Sequence, residues 1–225
     1  MLLAYELIVS AVFLAVVVWT IRSRDPIALG AVIGGFLMSG FDWLWCSRGF
    51  WNATIPDGLT MIPGLDIQGV RYPFSICFIW AIGFGFLPYY VSRYHDRIGK
   101  ALGAFHFPAI FAAAALIDLV IEGLGVSFFK AWHYHQDPYF LILGLPWSNF
   151  WMLGGVITGS YFGLAYVRRW SGVPEGVGLS FAREDTWKGM LMAASTIWTC
   201  AFVLGTLQLF WWSAATPWVE SGRPF

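Results

Sequence analysis

Charge is what this chain has least of. Asp, Glu, Lys and Arg make up 12% of its 225 residues, about half of the roughly 25% that an ordinary soluble domain carries. That is too little to cover a water-facing surface, which excludes a soluble globule. Net charge is absent as well, with 13 basic residues against 13 acidic ones, so nothing argues for nucleic acid as a partner or for a polybasic lipid-binding surface. Cysteine is scarce: Cys46, Cys77 and Cys200 lie in or beside apolar stretches without a C-x-x-C spacing. They read as free thiols, which excludes a disulfide framework or a zinc ribbon. Walker, Rossmann and G-x-S-x-G patterns are missing, and so are the aspartate-rich motifs that hold a diphosphate on magnesium. Nucleotide-driven work and diphosphate ionisation are therefore not expected. No internal repeat, low-complexity tract or soluble linker interrupts the chain.

What the chain has in quantity is apolar and aromatic surface: 58% hydrophobic residues, 14 Trp, 20 Phe and a mean hydropathy of +0.66. A helix needs about 20 mostly apolar residues to cross the hydrocarbon core. Segments at roughly 2–20, 27–47, 73–92, 101–125, 149–167 and 189–212 qualify. The first lacks a basic n-region and a small-residue cleavage site, and Glu6 interrupts its start, so it reads as a span and not a signal peptide. The fifth is rich in small residues such as Gly154, Gly155, Gly159 and Ser160, which let helices approach closely in membranes. PYFLILGLPW at 138–147 is too short to cross and reads as a re-entrant or interfacial segment. The expectation is an all-α, polytopic transmembrane helical bundle of about six spans, seven if 138–147 is counted, forming one domain over 1–225 with no soluble domain. Residues 48–72 form a loop long enough to act as a lid; its Asn52-Ala53-Thr54 sequon carries no weight.

Basic residues concentrate in cytoplasmic loops. The connections between spans 1–2, 3–4 and 5–6 hold Arg22, Arg24, Arg93, Arg97, Lys100, Arg168, Arg169, Arg183 and Lys188, whereas the other side holds only Arg48, Arg71, Lys130 and Arg223. Both termini are therefore expected on the non-cytoplasmic side of an integral, multi-pass protein whose surroundings are the lipid bilayer.

An ionisable group inside a span costs about 2.5–3.5 kcal/mol at its centre and is by default a functional candidate. Glu6, Asp42, Asp118 and Glu122 fall at one depth, in the outer half of the bilayer on this topology. Asp118 and Glu122 are four residues apart and share a helix face. In a low dielectric two such carboxyls are easier to hold with one proton between them, which supplies an acid and a base in one place. Asp118 and Glu122, with Asp42, are the candidate catalytic residues. Helix capping and bridging are the structural alternative, and Glu6, near enough to the interface to reach water, belongs with that background.

Aromatic residues crowd these acids. Trp43, Trp45 and Trp51 follow or adjoin Asp42, and Phe129, Trp132 and Tyr134 follow Glu122. They form either an interfacial aromatic belt or a wall whose π-faces stabilise a cation, and with Asn149 and Gln208 they are the candidate substrate-binding residues. Asn149 and Gln208 would fix a substrate oxygen or bond a neighbouring helix. Of the histidines, His95 sits in a basic loop and His106 near the far end of span 4. Only His133 and His135 lie on the acidic side, where with Asp118, Glu122 or Asp137 they are the residues a metal would use; two loop histidines are too few for a di-iron or copper site, and a solvated loop is the alternative. No metal and no cofactor are expected.

FDWLW at 41–45, an external loop containing Trp51-Asn52, and above all IDLVIEGLGV at 117–126 leading into an aromatic stretch and LGLPW resemble the AveC-like membrane spirocyclases of polyketide biosynthesis. The resemblance covers roughly 36–160. The layout is also similar to the integral-membrane terpene cyclases that protonate an epoxide or alkene without a metal. These resemblances imply acid–base cyclisation or isomerisation of a lipophilic polyketide or isoprenoid, with Asp118 and Glu122 carried over and Asp42 less directly. The competing expectation is a non-catalytic membrane subunit or a proton-coupled carrier of a small lipophilic molecule, in which the two acids would relay protons or bridge helices.

Overall fold

The computed structural model describes residues 2–47, 53–54, 65–67, 70–134, 141–142, 145–173 and 179–215, with backbone alone for 42–47, 53–54, 65–67, 70–72, 133–134, 141–142, 146–148 and 208–215. Its architecture is an all-α helical bundle. Six helices follow in chain order: α1 (Leu2–Ser23), α2 (Pro26–Ser47), α3 (Phe74–Ser92), α4 (His95–Phe129), α5 (Trp147–Trp170) and α6 (Glu184–Ala215). α1, α3, α4, α5 and α6 each contain a stretch long and apolar enough to cross a membrane, and α2 adds the shorter apolar run Pro26–Phe41. Large apolar side chains point outward along the bundle, among them Leu7, Leu14, Leu116, Val120, Leu191 and Phe202. An apolar exterior of this kind suits lipid and not water.

Two helices start earlier than hydropathy predicts. α4 begins at His95, not near 101, and α6 at Glu184, not 189. Both added segments carry charge, which a hydropathy window rejects but a helix tolerates. In α6 the acidic Glu184 and Asp185 sit in the first turn, where they face the positive end of the helix dipole.

Helices in lipid gain nothing from hydrophobic association and rely on close backbone packing. α2 packs on α6 and α3. A Cβ on Gly30 would lie 2.1 Å from the Met190 carbonyl oxygen, and one on Gly85 2.3 Å from that of Ala31. α5 lies between α4 and α6, its Gly159 and Gly163 against Cys200 and Thr196 and its Gly154 against Ala115. Cys77 and Cys200 form no disulfide among the described residues.

α3 and α4 each contain a wide turn. In α3 the residues Ala81–Phe86 are π-helical, and the Leu87 N–H reaches back five residues to the Ile82 carbonyl. Pro88 follows and has no N–H to offer the Phe84 carbonyl, which removes the regular α bond at that point. The last residues of α4, Leu124–Phe129, are π-helical too.

Between helices the described residues form three short antiparallel ladders. β1 (Ala53–Thr54) pairs with β4 (His133–Tyr134), β2 (Leu65–Ile67) with β3 (Val70–Tyr72), and β5 (Leu141–Ile142) with β6 (Leu145–Pro146). The last ladder lies within 138–147, so that segment contains a hairpin. Most of the loop considered as a lid, 48–72, lies outside the described residues.

Candidate functional site

α4 and α5 run antiparallel, and a four-residue spacing aligns one face of each. On α4 the stripe is His106, Ile110, Ala114, Asp118 and Glu122; on α5 it is Asn149, Leu153, Ile157 and Tyr161. Two hydrogen bonds close the seam at its ends. The Asn149 side-chain N–H donates to Glu122 Oε2 at 3.1 Å, and His106 Nε2 lies 2.8 Å from the Tyr161 hydroxyl.

Asp118 is 3% exposed and Asn149 0%. Asp118 and Glu122 interact electrostatically across one helical turn. Glu122 is held by Asn149, whereas Asp118 Oδ2 has no hydrogen-bond partner among the described residues. A buried polar atom so placed is costly to keep and calls for an explanation.

Glu6 is 4% exposed, which corrects the expectation that it reaches water. Its neighbour Tyr5 packs in a cluster with Val126, Ala131, Trp132 and Leu145, against which Leu119, Phe129 and Phe150 also lie. Leu119 follows Asp118, Phe150 follows Asn149 and Tyr5 precedes Glu6, so the cluster and these polar residues sit on the same turns at one end of the bundle.

The chain after α4 builds that cluster. Lys130 takes a left-handed conformation, φ 55°, and the Ala131 N–H bonds the Gly125 carbonyl at 2.8 Å. This reversal folds Trp132 back over Gly125, where an added Cβ would lie 2.2 Å from the indole. Tyr5 meets Trp132 edge-on, ring centroids 6.1 Å apart, and Phe129 at 5.5 Å. Trp132 is thus buried in packing contacts with Tyr5 and the Gly125 turn, and Phe129 is half-buried against the same cluster.

Of the remaining candidates, Asp42, Trp43 and Trp45 lie on the last turns of α2, Tyr134 pairs with Ala53, and Gln208 lies on α6. Their side chains, and Trp51 altogether, lie outside the described residues, as do the side chain of His133 and the whole of His135. Among the described residues no group of three or more His, Cys, Asp and Glu side chains is placed to hold a metal ion.

The opposite end holds a polar network that the sequence did not reveal. Asp25 caps α2, its Oδ1 accepting the Ile27 N–H at 2.9 Å, with Pro26 in the first helical position. Its Oδ2 accepts from the Tyr89 hydroxyl at 2.7 Å and from the Arg168 guanidinium at 2.8 Å. Burial pushes the Asp25 carboxyl up, but the Arg168 hydrogen bond and charge, the Tyr89 hydroxyl and the Ile27 N–H together hold it below the usual carboxylate range. The partners are 64 and 143 residues away in sequence; the Asp-Pro capping dipeptide was the one local signal. His95 and His106, separated by a helix break, bring their rings to 4.9 Å.

Comparison with protein-family models, curated proteins and solved structures finds no match to this chain. The reading of the site therefore rests on its own geometry.

Proposed function

We propose that this chain is an integral-membrane enzyme in which Asp118 and Glu122 act as an acid–base pair on a lipophilic substrate, cyclising or isomerising a polyketide or isoprenoid. The observation that carries the reading is the hydrogen bond from Asn149 to Glu122 beside a buried Asp118 whose Oδ2 has no hydrogen-bond partner among the described residues. An amide donor favours a carboxylate over a carboxylic acid, so Glu122 is the base and Asp118 holds the proton. Asp118 protonates an oxygen or an alkene, a cation develops, and Glu122 accepts the proton released on ring closure. In a spiroketal closure the protonated group leaves as water and a substrate hydroxyl takes its place. In an isoprenoid closure an epoxide or alkene is protonated and a C–H proton is lost at the end. Either way the pair is left with one proton, and Asp118 is recharged by exchange with Glu122.

The preponderance of basic residues around the α1–α2, α3–α4 and α5–α6 connections supports a cytoplasmic location for that end and a non-cytoplasmic one for both termini. The acid pair then faces the outer half of the bilayer, where a membrane-dissolved substrate arrives laterally.

The test is turnover by the purified protein of two substrate types, an open-chain dihydroxyketone and an epoxy-isoprenoid, against Asp118→Asn and Glu122→Gln. One substrate is expected to be converted by the parent protein, with each variant slower by about 10²–10⁴-fold, the range for general acid–base catalysis. Conversion of neither substrate, or full turnover by both variants, overturns the reading.

A further inference from the structure

α4 is longer than a membrane requires. It has 35 residues, against the roughly 20 that cross a hydrocarbon core. The excess lies at the start. His95–Leu102 contains no buried residue. It ends at Gly103, whose φ of 54° breaks the helix, and the chain passes through a single tight turn, Gly103–Phe105, before His106. The portion from His106 onward is by itself long enough to cross.

The first segment is nonetheless fixed in place. His95 lies against His106, and His106 against Tyr161 of α5. Gly99 makes room for the His106 ring, whose Nδ1 is 3.0 Å from where a Cβ would stand. Asp96 is paired with Arg169. Arg93, Arg97 and Lys100 are exposed and form no ion pair among the described residues. Immediately beyond them Phe105 and Phe107 are 74% and 61% exposed. A short polar segment carrying cations, joined at a bend to exposed aromatics, has the layout of a helix lying in the headgroup layer.

We propose that His95–Leu102 is an interfacial helix and that Arg93, Arg97 and Lys100 bind the phosphodiester headgroups of anionic phospholipids, with Phe105 and Phe107 entering the acyl boundary. The net charge of zero hides this surface, because it sums 13 basic and 13 acidic residues over the whole chain and says nothing of where either kind clusters. The inference rests on the membrane reading and is independent of the acid–base chemistry.

The test is native mass spectrometry of the purified full chain, released from micelles doped with equal amounts of phosphatidylglycerol and phosphatidylcholine. The parent protein is expected to retain phosphatidylglycerol over phosphatidylcholine by about tenfold or more, given the attraction of three surface cations to anionic lipid. The triple variant R93Q/R97Q/K100Q is expected to lose that preference, while R183Q/K188Q, at the same end, keeps it. Equal retention of the two lipids by the parent, an undiminished preference in the triple variant, or equal loss in both variants overturns the proposal.

Discussion

Asn149 and Glu122, on different helices and 27 residues apart, are joined by a 3.1 Å hydrogen bond from amide to carboxylate, and Asn149 is fully buried. The bond ties the start of α5 to the last turns of α4 and fixes the direction in which Glu122 presents its second oxygen. Asn149→Leu removes the donor and keeps the branched outline of four side-chain heavy atoms. A hydrogen bond to a charged group contributes about 1.5–3 kcal/mol, so the variant is expected to lose about tenfold or more in kcat. Its pH–rate profile should move with it, which a purely structural amide would not cause. The measurement is turnover across pH, with thermal unfolding as the control for folding.

At the other end Asp25→Asn should weaken the clamp among the α1–α2 turn, α3 and α5. Breaking a buried ion pair costs about 3–5 kcal/mol; with both side chains 18% exposed, a loss of about 2–3 kcal/mol is expected on that scale. Because Asp25 sits below the usual carboxylate range when folded, its contribution is complete above about pH 4 and disappears as the pH falls through the folded value. Thermal unfolding in detergent should show an acid-side decline that is shallower in Asp25→Asn.

Gly125 has a steric job. A methyl at this position would meet the Trp132 ring at 2.2 Å, so Gly125→Ala should displace the indole and cost about 1–3 kcal/mol, the range for overpacking. Adding Trp132→Leu should recover part of the loss, and a double-mutant cycle on Tm measures the coupling.

Gly30 and Gly40 lie on the same helix and should respond oppositely. At Gly30 the obstacle is the Met190 backbone, which cannot swing aside, whereas a Cβ on Gly40 meets nothing within 4 Å. Gly30→Ala is expected to lower Tm sharply. Gly40→Ala should be neutral or stabilising by up to about 1 kcal/mol, the helix-propensity difference.

The helical architecture was readable because crossing a membrane imposes a length and a composition that show in any window, and the 118–122 spacing was readable because four residues make about one turn. Contacts between distant helices were not. Asp25 drew no attention in the sequence, because its partners Tyr89 and Arg168 lie 64 and 143 residues away. His95 and His106 stood in a loop and on a span in sequence, yet a break at Gly103 puts their rings side by side. Glu6 was read as near enough to the interface to reach water, whereas the packing of Trp132 against Tyr5 lies at that end of α1 and Glu6 is 4% exposed. Hydropathy also hid the first turns of α4 and α6, where charge lowers the score without discouraging a helix.

Between Asp118 and His106 the α4 face of the seam offers only Ala114 and Ile110, and α5 answers with Leu153 and Ile157. Proton hopping needs donors and acceptors within hydrogen-bond reach of one another, and this stretch has no side chain able to take part. Along this stripe of described residues no side chain bridges Asp118 to His106, so the acid–base pair proposed at one end would have to exchange its protons with the side of the membrane it faces and not through the stripe.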